Sequence, residues 1–97
     1  MAIQRTYVSV GMVDGTEYEN LPTTVADEML YASTRRRHKW EPMQDDITTY
    51  KNFLGFAVLR RLGHYAGSFD EFGNDVAVVV LEEAEPVDPT NRAPSNA

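Results

Sequence analysis

Residues 47 to 65 read ITTYKNFLGFAVLRRLGHY, and this stretch predicts the central helix of the fold. Its apolar side chains recur at intervals of three and four residues, which is the repeat of one face of an α-helix. Asp45 or Asp46 stands just ahead of it as a suitable N-cap, and Gly67 follows it as a stop signal. We expect one long helix that buries an apolar stripe, whose members are Ile47, Tyr50, Leu54, Ala57, Val58, Leu62 and Tyr65.

The same helix carries a second apolar patch. At about 100° per residue, Phe56 and Leu59 project away from the main stripe. Either the helix is buried on both sides, between a hairpin and neighbouring helices, or Phe56 and Leu59 form a docking surface for a partner. Gly55 and Gly63 would let another helix approach closely under both interpretations.

A capping box predicts a helix on the N-terminal side, because Thr24 and Asp27 can each bond to the other's backbone. We expect this helix to begin at Thr23 or Thr24 and to end around His38 to Trp40, before Pro42. Its apolar side is imperfect and comprises Val25, Met29, Tyr31 and Ala32.

A third helix is predicted to begin at Ser68, because Ser68 and Glu71 form a second capping box. Phe69 and Phe72 continue its helical repeat. The pattern weakens beyond Gly73. Residues 77 to 81 are β-branched enough for a strand, but they are too few for periodicity to decide between strand and helix.

The N-terminal residues predict a β-hairpin, because two alternating stretches flank the turn signal Asp14-Gly15. A two-residue loop would mix Glu17 and Glu19 into the apolar face. A three-residue loop from Val13 to Gly15, with Gly15 in the left-handed region, keeps both glutamates outside, so we prefer it. A lone hairpin is marginally stable in water, and its apolar face must therefore pack on helices.

The predicted fold class is α+β and mostly helical, with an N-terminal β-hairpin packed on about three α-helices. A chain of 97 residues suits one small domain. Its formal net charge of -6 is uneven, because residues 1 to 65 hold eight basic and eight acidic side chains, whereas residues 66 to 97 hold one and seven. We expect a globular domain at residues 1 to 83 and a disordered, flexible acidic tail at residues 84 to 97.

Composition argues against several classes of function. Without cysteine there is no disulfide, thiol catalysis or cysteine metal site, and His38 with His64 cannot form a metal framework alone. The longest purely apolar run, Val76 to Leu81, is far short of the roughly 20 residues of a membrane span. The first six residues lack a signal-peptide pattern, so we expect a cytoplasmic location. No nucleophile has an activating base and no glycine pattern cradles phosphate, so we expect no catalytic residues, no cofactor and no enzymatic activity.

The run Arg35-Arg36-Arg37-His38-Lys39 is the most conspicuous charge cluster. Beside Trp40, it suggests contact with nucleic acid. A pI near 4.7 argues against that partner. In the predicted last helical turn, these cations would stabilise exposed carbonyl groups by roughly 0.3 to 1 kcal/mol each. A third interpretation is contact with an acidic partner or with the chain's own tail.

The order of these elements resembles a known family. A strand pair with a variable turn precedes the helix YKNFLGFAVLRRLG at residues 50 to 63, followed by SFDEF at residues 68 to 72, Asp75-Val76, and an acidic stretch with Asp88-Pro89-Thr90. This layout is similar to that of the tail assembly chaperones of long-tailed, siphovirus-type phages that infect actinobacteria. The likeness extends over about residues 7 to 90 and is most specific over residues 50 to 76.

The resemblance implies a non-enzymatic protein that binds the aggregation-prone phage tape measure protein and helps to recruit the tail tube protein in the host cytoplasm. In this family a programmed frameshift yields a longer form, and the present chain would be the short one. Self-association into a homo-oligomer is compatible with this role. The hypothetical partner-binding residues are Phe53, Phe56, Leu59, Phe69 and Phe72.

The alternative is a virion structural protein, such as a head-to-tail connector or a minor tail protein. An acidic protein that mimics DNA is a further class. It would need carboxylates spread over a folded surface, whereas much of the excess charge here lies in the predicted tail.

Overall fold

A computed structural model describes residues 3 to 84 of the chain. The elements follow in the order β1 (Arg5–Met12), β2 (Glu17–Pro22), α1 (Val25–His38), a 3₁₀ turn (Met43–Asp45), α2 (Ile47–Arg61), α3 (Phe69–Asp75) and β3 (Val76–Ala84). The strands form one antiparallel sheet in the order β2-β1-β3. Helix α2 packs across one face of this sheet, and α1 and α3 pack against α2.

Strands make up more of the fold than the sequence predicts. β3 is nine residues long and pairs with β1, so that the predicted hairpin becomes part of a three-stranded sheet. Residues 77 to 81, for which periodicity left helix and strand open, are a strand in which Val79 is buried. The α+β class is confirmed, but the description "mostly helical" does not fit a fold with this much sheet.

The β1–β2 hairpin has the predicted three-residue loop. The Met12 N–H donates to the Thr16 carbonyl at 2.8 Å, which closes the loop at the expected pair. Gly15 has a φ of 98°, a left-handed value that glycine adopts without steric cost. Glu17 and Glu19 are exposed, as the preferred register requires.

A β-bulge in β2 keeps the hairpin's apolar face continuous. Val10 pairs with Tyr18 but Val8 pairs with Leu21, so two residues of β2 oppose one residue of β1 between these pairs. Asn20 is one of these two residues of β2, and its φ of 56° lies in the left-handed region that asparagine tolerates. Because of it, Tyr18 and Leu21 both pack against the core although they are three residues apart.

Helix α2 is buried on both sides, which is the first of the two interpretations. Its N-cap is Asp46, whose carboxylate accepts a hydrogen bond from the Thr49 N–H at 3.1 Å. All seven residues from 53 to 59 are buried. Leu54 and Val58 pack on Val8 of the sheet, while the other side of the helix meets an aromatic cluster.

The C-terminal end of α2 comes earlier than predicted. Gly63 has a φ of 82°, and the His64 N–H donates to the Leu59 carbonyl at 2.8 Å, which is the bond pattern of a Schellman motif. The helix therefore ends at Arg61, well before Gly67. Gly63 serves this turn and not a contact with another helix.

Gly55 brings α2 close to the sheet. A Cβ at this position would lie 3.0 Å from Cγ1 of Val79 and 3.4 Å from Cγ2 of Val10. The close approach predicted for Gly55 is present, but the neighbouring elements are strands instead of a helix.

Helix α1 begins at the predicted capping box, in which both bonds between Thr24 and Asp27 are made, and it ends at His38. Its buried side differs from the predicted one, because Val25 and Met29 are exposed. The side that is buried carries Asp27, Tyr31 and Thr34.

Hydrogen bonds explain why a carboxylate lies on the buried side of α1. Asp27 accepts from Nε and Nη2 of Arg61, both at 3.1 Å, and from the Thr24 N–H at 2.8 Å. Arg61 also donates to the Pro22 carbonyl at 2.9 Å. These bonds offset the cost of taking the carboxylate out of water and tie the start of α1 to the end of α2.

Helix α3 begins at the second predicted capping box, where the bonds between Ser68 and Glu71 are both present. The tail predicted for residues 84 to 97 lies outside the described residues, except that Ala84 is the last residue of β3.

Candidate functional site

The predicted partner-binding side chains belong to the aromatic core. They are Phe53, Phe56, Leu59, Phe69 and Phe72, of which only Phe69 is partly exposed. The Phe53 ring lies 5.6 Å from Phe56 and 5.2 Å from Phe69, measured between centroids. Such aromatic pairs add about 0.5–1.5 kcal/mol each to the energy of burial.

The prediction of a docking surface on these residues is therefore corrected. Phe69 and Phe72 of α3 cover the second apolar patch of α2, with ring centroids 5.4 and 5.6 Å from that of Phe56, and Trp40 packs beside them. Trp40 lies 6.0 Å from Phe53 and 5.8 Å from Phe69. A partner would reach Phe56 only if the core opened.

The sheet offers a surface that the sequence did not reveal. Its face opposite α2 has no helix packed on it within residues 3 to 84. We call this surface the open face, and its members include Tyr7, Ser9, Gly11, Glu17, Glu19, Val78, Val80 and Glu82. Val78 is 52% exposed and Val80 is 51% exposed, so two neighbouring apolar side chains are available for contact.

Strand alternation and one glycine shape the open face. Val79 and Leu81 pack toward α2, so Val78 and Val80 point to the opposite side. Gly11 is the neighbour of Val78 on β1, and a Cβ at Gly11 would lie 3.0 Å from Cγ1 of Val78. Because Gly11 has no side chain, a shallow hollow of about 320 Å³ lies between the valines and β2.

Carboxylates border this hollow. Glu17 and Glu19 of β2 line it, Glu82 follows the two valines on β3, and all three are exposed. The lining residues include no lysine or arginine. The open face is thus an apolar centre with a negative border, which complements an apolar surface flanked by lysine or arginine.

The outer edge of β3 is a second feature of this region. Within residues 3 to 84 no strand pairs with it on the side away from β1. A groove of about 660 Å³ runs along this edge and is lined on the helix side by Met43, Ile47, Tyr50 and Lys51. Met43 is 40% exposed and Ile47 is 55% exposed. An unpaired strand edge presents free N–H and C=O groups, so it is a template for another strand.

The basic run lies at the end of α1, as predicted. Arg35, Arg36, Arg37 and His38 form the last turn. Nη1 of Arg35 donates to the Trp40 carbonyl at 3.0 Å, and the His38 ring stacks on Trp40 with centroids 5.4 Å apart. These contacts favour the local role at the helix end, and contact with nucleic acid or an acidic partner stays a prediction.

Two other titratable side chains have local partners. Burial, together with a hydrogen bond of 2.8 Å from its hydroxyl to Oδ2 of Asp75, raises the pKa of Tyr65 to about 12. The His64 ring stacks on Tyr18 with centroids 4.7 Å apart.

From residue 3 to residue 84, no three acidic or histidine side chains are grouped so as to hold a metal ion. No helix in that part of the chain has the length and apolar character to cross a membrane.

The open face could not be predicted from the sequence, because its exposed valines belong to β3, which the sequence did not assign as a strand. Alternation along Val76 to Leu81 separates inward from outward valines only once that stretch is known to be a strand. The available signal was its β-branched content, together with a glycine in the middle of the first predicted strand.

Comparisons of the chain with protein-family models, with curated proteins and with solved structures find no match.

Proposed function

We propose that the protein is a non-catalytic assembly factor that acts by binding another protein. In its specific form, the proposal is a phage tail assembly chaperone that binds the tape measure protein and assists tail tube assembly in the host cytoplasm. The observation that carries the binding role is the open face, where Val78 and Val80 are half exposed on a sheet that residues 3 to 84 cover on one side only. The phage assignment rests on the resemblance of the sequence layout.

A helix is the partner that suits the open face best. Three strands at about 4.8 Å spacing span roughly 14 Å, close to the 10–12 Å diameter of a helix with its side chains. A sheet gains stability when its apolar face is covered by another layer. A partner helix would place its apolar stripe on Val78 and Val80 and its basic residues near Glu17 and Glu19.

This mode of binding suits a chaperone for an aggregation-prone chain. Covering an apolar stripe removes the surface through which such chains associate, and the negative border favours helices with basic flanks over others. The partner-binding residues proposed now are those of the open face, in place of the buried aromatic residues of α2 and α3.

The test is capture of co-expressed tape measure protein by the double variant Glu17→Lys/Glu19→Lys. Both side chains are exposed, so the fold should persist while the border changes sign. We expect capture to fall at least tenfold and the tape measure protein to become insoluble. A matched control is Glu28→Lys/Glu41→Lys, which makes the same charge change at exposed positions away from the open face. Equal capture by both double variants would contradict the proposal.

Mass spectrometry of purified virions separates the chaperone from a virion structural protein such as a connector or minor tail protein. A chaperone leaves before the particle is complete, so its peptides should be absent. Stoichiometric amounts in the particle would instead favour the structural role.

A further inference from the structure

The outer edge of β3 is long, apolar and self-complementary. The strand runs for nine residues, from Val76 to Ala84, and every second residue points its N–H and C=O groups to this edge; six of its first seven residues are apolar. The exposed side chains Met43 and Ile47 lie beside it. The edge of β2 on the opposite side of the sheet is shorter, with six residues and a bulge in its middle, whereas the register shift of β3 lies near its start, between Val76 and Val78. β3 is therefore the edge on which another strand would pair over the greater length.

We propose that this edge pairs with β3 of a second copy of the chain, antiparallel and with the two-fold axis at Val80. The two three-stranded sheets then join into one sheet of six strands. This inference goes beyond the proposed function and does not depend on which protein the open face binds.

Strand length and charge together select this register. With Val80 opposite Val80, Glu82 lies opposite Val78 and Glu83 opposite Ala77, so no like charges are paired. An axis at Val79 would place Glu83 opposite Asp75. An axis at Glu82 would pair that glutamate with itself, and like charges directly opposite each other are destabilising. Since Val80 is the middle residue of Val76–Ala84, only this register leaves neither end of the strand overhanging, and the register shift between Val76 and Val78 lies at the end of the paired region.

Charge complementarity also favours a second copy as the occupant. Lys51 lines the groove along the β3 edge together with residues 78 to 83. Glu83 alternates with Leu81 and so lies on the helix side of the sheet. In the chosen register, Glu83 of one copy lies opposite Ala77 of the other, next to the residues 78 to 83 that line this groove, and so within diagonal reach of the long Lys51 side chain. Because of the two-fold axis, the dimer contains two such contacts between Glu83 of one copy and Lys51 of the other.

The groove also accounts for the exposed apolar residues of the 3₁₀ turn and of the start of α2. The two-fold axis brings Met43 and Ile47 of each copy over the junction of the two β3 strands. The groove of about 660 Å³ leaves room there for these side chains. On the other side of the sheet, Val78 and Val80 of both copies become neighbours, so the two open faces form one continuous surface.

Single cysteines test the register, because the chain has no cysteine of its own. With Val80→Cys, the two Cβ atoms would lie about 4.5–5.5 Å apart, close enough for a disulfide when the full chain is incubated with oxidised glutathione. Val78→Cys is the matched control, since it lies on the same strand and face with equal exposure. Its two copies would be about 13 Å apart, four residues along the strand, which a disulfide cannot span. We expect a covalent dimer from Val80→Cys and at least tenfold less from Val78→Cys.

Light scattering on the unmodified chain and on lysine variants tests the dimer without any cross-link. Val80→Lys would place two ammonium groups opposite each other and should give a monomer, whereas Val78→Lys would face Glu82 of the other copy and should stay dimeric. The proposal is overturned if the wild-type chain is a monomer of 10.9 kDa at several hundred micromolar. Equal cross-linking of both cysteine variants would also overturn it. A third result would overturn it as well: a monomeric chain in which the Val80→Cys thiol loses its reactivity toward thiol reagents only when another protein is added. The β3 edge would then bind that protein and not a second copy. None of these measurements involves the tape measure protein, so their failure is distinct from failure of the proposed function.

Discussion

Replacing Gly55 with alanine tests the packing of α2 on β3 through the sign of its effect. In a helix without neighbours, this change would stabilise the fold by about 1 kcal/mol, because glycine is a poor helix former. Here the new Cβ would lie 3.0 and 3.2 Å from the two methyl groups of Val79 and 3.4 Å from Cγ2 of Val10. Overpacking of this kind costs about 1–3 kcal/mol. The net expectation is a loss of about 1 kcal/mol.

Urea unfolding followed by far-UV circular dichroism measures this difference, at one fixed protein concentration so that self-association does not contribute. Gly73→Ala in α3 is the matched control, because a Cβ there has no neighbour within 4 Å. It should raise the free energy of unfolding by about 0.5–1 kcal/mol.

A second variant isolates the contact with the strand. In a Val79→Ala background the methyl groups that crowd position 55 are gone, so Gly55→Ala should become neutral or stabilising. The reasoning is refuted if Gly55→Ala stabilises the wild-type chain as much as Gly73→Ala does. β3 would then not lie under α2.

Three further changes test the remaining packing and charge contacts. Asp27→Ala should lower the free energy of unfolding by about 3 kcal/mol, since it removes the buried acceptor of Arg61 and a capping bond, whereas an effect below about 0.5 kcal/mol in urea unfolding would contradict the contact. Tyr31→Phe should raise the melting temperature by several degrees, because the buried Tyr31 hydroxyl has no hydrogen-bond partner in the described part of the chain; a loss of stability would mean that it has one. Ionisation of Tyr65 should destabilise the fold as the pH rises from about 10 to about 12: the unfolded chain loses this proton at about 10 and the folded chain at about 12, so the contribution is complete below pH 10. Burial also raises the pKa of Tyr31 and of Tyr50, so absorbance at alkaline pH should show a late tyrosine titration whose amplitude falls by one tyrosine in Tyr65→Phe, and an unchanged amplitude would contradict the assignment.

The helix starts and the hairpin register could be predicted from the sequence, because at these positions a residue type has a single physical role. Thr24 and Ser68 each begin a helix because a side-chain oxygen can satisfy a free backbone N–H. The hairpin register followed from the placement of Glu17 and Glu19, since a slip by one residue would have buried both carboxylates. These features depend on neighbours within a few residues, which a sequence displays directly.

Features that depend on distant neighbours were not predictable in the same way. Residues 77 to 81 are a strand because β1 supplies hydrogen-bond partners almost 70 residues earlier in the chain. The polar side of α1 is buried because Arg61 reaches Asp27 from the end of α2. Periodicity places the apolar residues Val25 and Met29 on one side of the helix, but it does not indicate whether another element covers that side.

The second apolar patch of α2 shows the same limit for the candidate site. Periodicity places Phe56 and Leu59 on the side of α2 opposite the main stripe. It does not indicate whether another element covers that side, because a covered patch and an exposed patch show the same sequence pattern. Phe69 and Phe72 of α3 cover it here. The surface left open belongs to a strand that the sequence did not assign.

The proposed partner-binding role is tested most directly by nuclear magnetic resonance of the ¹⁵N-labelled chain, titrated with a basic, amphipathic helical segment of the tape measure protein. We expect shift changes concentrated at the backbone amides of the open face, with Gly11, Val78 and Val80 among the largest and Phe56 and Leu59 nearly unchanged. Changes centred on Phe56 and Leu59, or no change at a saturating concentration of the segment, would contradict it.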